Sequence, residues 1–148
     1  MGVVKWIGGW LAATFVIAIL ATALQSAFVL AMLAEVGAEI GAEAAVSMMS
    51  DDLAGLGPLY GAILGLGLLV AFLAGSLVNR LIGLRPLVFA VAGAVCVALA
   101  LWLMEQVFFG VQLIAGARTL AGYVAQVAAG AAAGAVFAAL TPAPRRAG

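Results

Sequence analysis

Four long apolar blocks divide this chain, from Val3 to Leu33, Pro58 to Val78, Leu87 to Met104 and Thr119 to Leu140. A helix needs about 20 mainly apolar residues to cross a bilayer. The pattern therefore predicts an all-α fold, an integral membrane four-helix bundle occupying residues 1–141. Polar residues collect between the blocks. They predict an acidic loop over residues 35–57, a short basic turn after the second block and an oddly apolar loop over 106–117. Pro58 and Pro86 fall where a first-turn proline is tolerated, and Pro142 with Pro144 stops the last helix, so residues 142–148 read as a disordered tail.

Composition agrees with the pattern: 68% of residues are hydrophobic, 8% are charged and the mean hydropathy is +1.32. That is far from the balance of a soluble domain. The six basic and six acidic residues cancel and no basic run exists, which leaves no field to recruit nucleic acid. Cys96 is the single cysteine and can form no internal disulfide. Lys5 ahead of a long apolar run resembles the start of a signal peptide, but the run is too long and lacks a cleavage site, so it reads as an anchor. A myristoylation motif beginning at Gly2 fails because Trp6 stands where Ser or Thr is required.

Charge sets the expected orientation. Lys5, Arg80, Arg85, Arg145 and Arg146 fall on one side of the bundle, whereas Glu35, Glu39, Glu43, Asp51 and Asp52 share the first loop; Arg118 alone dissents. The positive-inside rule then puts both termini in the cytoplasm and the acidic loop outside, with Trp6 and Trp10 at the inner interface. The first apolar run is about 45 Å long as a helix, against a hydrocarbon core of about 30 Å, so it must tilt or protrude outward. Continued helically, it carries Glu35, Glu39 and Glu43 as an acidic outer stripe beside Val36 and Ile40. The stripe reads as a solvated face, a surface for a basic partner or, last, a divalent-cation site. The cation reading is weakest because only the Asp51-Asp52 pair is near a turn. Ser50 and those two aspartates fit the N-cap and first turn of a short helix leading into the second span.

The last block is built from small residues. Gly122, Gln126, Gly130, Gly134 and Ala138 recur every four positions and make one nearly flat helix face. Such a face permits close backbone approach, which is what drives helix association in lipid. Gly57, Gly61 and Gly65, then Gly67, Ala71 and Gly75, and on the first helix Thr14, Ala18, Thr22 and Ser26, form similar faces. Gln25 and Gln126 lie toward the outer ends of their helices and are expected to hydrogen-bond to each other. Glu105 and Arg118 are expected to pair across the third connection. That connection exposes Phe108, Phe109, Leu113 and Ile114, which suggests contact with lipid or a partner, or a flap over the bundle's outer mouth.

Catalytic chemistry has little to use. There is no histidine, no nucleophile with a base, no phosphate loop and no ionisable residue at the centre of a predicted span. The expectation is a non-enzyme without cofactor or metal, partnered by the bilayer and by other membrane subunits or copies of itself. By elimination it is a small accessory, scaffold or assembly subunit of a membrane complex. The alanine- and arginine-rich composition suggests a bacterial inner membrane. The competing expectation is a homo-oligomeric channel or carrier for a small solute, lined by Gln25 and Gln126.

Overall fold

The computed structural model describes residues 2–107, 109–110 and 114–141; Phe108, Leu113 and the predicted tail at 142–148 lie outside them. Four α-helices and one short 3₁₀ turn follow in order: α1 (Gly2–Glu35), α2 (Ala42–Ile82), α3 (Arg85–Val107), η1 (Ala115–Ala117) and α4 (Leu120–Leu140). Each α-helix is long and apolar enough to cross a membrane.

Sequence and structure differ most over residues 35–57. The expected acidic loop is mostly helix, with only residues 36–41 outside it, because α2 begins at Ala42 and runs for 41 residues. From Ala42 to Gly57 the segment before Pro58 carries four Ala, two Met and two Leu, all strong helix formers. Pro58 consequently lies inside α2 and not in its first turn, where its missing N–H leaves the Ala54 carbonyl without the usual partner. Ser50 is not an N-cap either. Its hydroxyl donates to the Ser47 carbonyl within the helix, and Gly41 occupies the cap position.

The acidic stripe is broken rather than continuous. Gly37 adopts φ +81°, its N–H donates to the Ala34 carbonyl, and the Ala38 N–H reaches back to the Leu33 carbonyl. This is a Schellman end, and the left-handed residue it requires is readily supplied by glycine. Glu35 therefore closes α1, Glu39 lies in the connection and Glu43 opens α2.

Gly83, at φ +76°, also ends α2 with a left-handed glycine, here through a single bond from its N–H to the Asn79 carbonyl at 2.9 Å, and the chain turns into α3 within two residues. The four helices form a ring in chain order: α1 packs on α2 and α4, and α3 packs on α2 and α4. Lys5, Arg80 and Arg85 mark one end, here the basic end; Glu35 through Asp52 mark the acidic end. The core of the basic end is aromatic. Phe137 stacks on Phe72 at 4.2 Å between centroids and meets Phe89 edge-on at 4.8 Å and Trp6 at 5.5 Å. Arg85 lies over the Phe89 ring at 5.4 Å and donates to the Thr141 hydroxyl, which ties the start of α3 to the end of α4.

At 1.5 Å per residue, α1 is about 51 Å long and α2 about 62 Å, whereas α3 and α4 are about 35 and 32 Å. The excess lies at the acidic end, where the α1–α2 hairpin rises past η1.

Candidate functional site

Two structures could carry function: the seams that close the bundle and the polar layer at its acidic end.

The seam between α3 and α4 is a backbone contact. A Cβ on Gly134 would fall inside the Phe89 carbonyl, and one on Gly93 inside the Gly130 carbonyl. A Cβ on Gly130 would approach the Gly93 oxygen to 2.5 Å. Gly122 is equally close to the Gly116 carbonyl in η1. On the α1–α2 seam, Gly61 faces Ala18 and Gly65 faces Thr14, where added methyls would meet side chains at 2.9 and 2.7 Å. The helix-contact glycines on α2 and α4 are thus used within the chain. Gly93 and Gly116 were not singled out because each is a lone glycine without a second one four residues away; their signal is spatial pairing with the glycines of α4.

The polar layer surrounds the acidic end of the interior. Gln25 and Gln126 are both buried, yet they do not bond to each other as the sequence suggested. The Gln126 amide donates to the Ala21 carbonyl at 2.9 Å, and Gln25 Oε1 accepts from the Gly116 N–H at 2.5 Å. Each amide reaches a backbone group on a different element because α4 and η1 approach α1 at different heights. Gln126 joins α4 to α1, and Gln25 pins η1 across the mouth of the bundle. Gly116→Ala would drive a methyl to 2.8 Å from the Gln25 Cα. It is expected to undock η1, seen as faster hydrogen exchange at Gly116 and Ala117 with the helices left intact.

Ser26 is fully buried and donates to Asp52 Oδ2 at 2.7 Å, joining α1 to α2 at the edge of the layer. The acceptor is a carboxylate, which makes this the stronger class of hydrogen bond. A double-mutant cycle of Ser26→Ala with Asp52→Ala is expected to show a coupling of about 1 kcal/mol. Trp10 Nε1 donates to the Gly65 carbonyl at 2.8 Å, and the Tyr123 hydroxyl donates to the Ala98 carbonyl at 3.2 Å.

Glu105 and Arg118 line one open cleft of about 410 Å³ together with Trp102, Thr119 and Tyr123. Thr119 caps α4 by accepting from the Gly122 N–H at 3.1 Å. The third connection separates its apolar residues. Phe109 is 99% exposed at φ +56°, whereas Ile114 packs against the core beside η1. Glu35, Glu39 and Glu43 are all exposed on the projecting hairpin and its connection. Among the described residues, no group of three or more His, Cys, Asp or Glu side chains is placed to hold a metal ion.

No protein-family model, curated protein or solved structure matches the chain.

Proposed function

We propose that this chain is an integral membrane protein of the cell membrane, a bacterial inner membrane by its composition, with both termini cytoplasmic. In it, the chain serves as a non-catalytic accessory, scaffold or assembly subunit of a larger complex. Support for the membrane setting is the inverted distribution of polarity. Gln126 and Ser26 are fully buried, while Phe15, Leu66 and Val70 are about two-thirds exposed on the bundle's flanks. Water would penalise the exposed apolar flanks and lipid does not, while the interior of a bundle is where a membrane protein places its polar side chains. The basic end then faces the cytoplasm by the positive-inside rule.

The projecting α1–α2 hairpin carries the functional reading. Five of the six acidic residues lie on it or its connection, with no Lys or Arg among them. Val36, Ile40, Val46, Leu53 and Leu56 are exposed beside them. Apolar side chains held outside the hydrocarbon, among charges of one sign, suit a protein surface better than they suit water. This shifts the expected contact surface from the glycine face of α4, which is occupied within the bundle, to the hairpin. A solute path through a single bundle has no such support, since Trp6, Phe72, Phe89 and Phe137 fill the basic half of the interior.

The test is photocrosslinking from Val46 and Leu56 in the native membrane, with lipid-facing Leu66 as control, followed by native-gel mass in mild detergent. Hairpin positions are expected to yield discrete hetero-crosslinks within a large species. A small multiple of the 14.8 kDa chain, with no other protein attached, would sink the proposal.

A further inference from the structure

Among the described residues, Thr22 Oγ1, Tyr60 Oη and Gln126 Oε1 are buried in the acidic half of the bundle without a hydrogen-bond partner. Their residues are 1%, 4% and 0% exposed. These residues lie within about one helical turn of each other along the bundle. Gln126 donates to the carbonyl of Ala21, the residue before Thr22. Thr22 faces Gly57 across the α1–α2 seam, and Tyr60 stands one turn along the buried side of α2 from Gly57. Burying three such groups dry costs about 1–3 kcal/mol each, and within a bilayer no solvent outside the bundle could relieve them.

We propose that this layer is a water site, in which ordered water bridges Thr22, Tyr60 and Gln126. The donor and acceptor balance fits. Gln126 Oε1 can only accept and neither hydroxyl donates to it, while each hydroxyl can itself donate or accept. Water supplies both roles and has the two to four polar partners that a buried water requires. The seam is also looser here than farther along: a Cβ added at Gly57 would sit in ordinary contact, 3.4 Å from Leu53 and 3.9 Å from the Thr22 hydroxyl, whereas one at Gly61 would meet Ala18 at 2.9 Å. Thr14 Oγ1 shows the contrast. It is also unpartnered, but a Cβ at Gly65 would meet the Thr14 methyl at 2.7 Å, so no guest fits between them. The aromatic cluster closes the site toward the basic end, and η1 covers it at the mouth through the bond between Gln25 and Gly116.

The experiment is water-edited solid-state NMR on the full chain in lipid bilayers, paired with unfolding midpoints of two isosteric variants. Magnetisation from water is expected to reach the Gln126 amide and the Tyr60 ring ahead of the Phe137 ring, and Gly57→Ala is expected to slow that transfer by filling the space. Thr22→Val and Tyr60→Phe are each expected to lower the midpoint by roughly 3 °C, because each breaks bonds to bound water. Transfer to Gln126 no faster than to Phe137 overturns the proposal. So does a midpoint that rises or stays constant in both variants, since deleting an unpaired hydroxyl from a dry site removes a penalty.

Discussion

Gly134→Ala is expected to separate α4 from α3, at a cost of about 3 kcal/mol. The added methyl would have to occupy the position of the Phe89 carbonyl, a backbone group with no rotamer into which it can retreat. Relief requires the two helices to move apart, and every contact along the seam, including Gly93 against Gly130, opens with them. Association in lipid depends on close packing and not on expulsion of water, so lost proximity is not compensated elsewhere. Unfolding in mixed detergent micelles, followed by circular dichroism, measures the loss. Gly8→Ala and Gly55→Ala are the controls; their Cβ atoms would meet nothing within 4 Å. Both are expected to be neutral or slightly stabilising, by up to about 1 kcal/mol, because alanine is the better helix former. A Gly134→Ala protein as stable as these controls would mean that the seam is not a backbone contact.

Phe137→Ala is expected to be the other large loss, at about 3–4 kcal/mol. Its ring is fully buried, stacks on Phe72 and meets Phe89 and Trp6 edge-on, so it joins one side chain from each of the other three α-helices. Its removal leaves a void at the meeting point of all four helices, which rigid neighbours cannot easily fill. Phe15→Ala provides the comparison, since Phe15 is 68% exposed and its loss should change stability by under about 1 kcal/mol. Combining Phe137→Ala with Phe72→Ala should cost less than the two separate losses, because the second truncation removes a partner already gone.

The four helices were legible in the sequence because length and apolarity alone define them, and α3 and α4 closely follow the blocks from Leu87 and Thr119. The start of α2 was not. Pro58 reads locally as a helix beginning, and although Ser50 and the two aspartates suggested a short helix before it, nothing showed that all sixteen preceding residues are continuous with the span. The break after α1 was available in Gly37, yet the spacing of Glu35, Glu39 and Glu43 argued for continuation, and a period-four pattern of charge cannot report a left-handed residue within it. Gln25 and Gln126 were recognisable as buried amides because hydrocarbon makes any amide conspicuous. Their partners were hidden because backbone carbonyls and N–H groups are present at every position. The polar layer depends on Tyr60 and Thr22 sharing a height with Gln126, and only the register between helices supplies that.

The ring order of the bundle also bears on how the protein is made. The helix that leaves the ribosome after the other three is the one that fits the ring together: α4 brings Gln126 to α1, Gly134 to α3 and Phe137 to Phe72 of α2. In the membrane setting proposed above, a chain interrupted before Leu120 would lack the shared partner of its first three helices, with the Phe89 and Gly93 carbonyl face of α3 uncovered and the Ala21 carbonyl without the Gln126 amide. Inserted but unclosed, such a product would present to the cell's membrane proteases the polar backbone that the finished protein keeps inside.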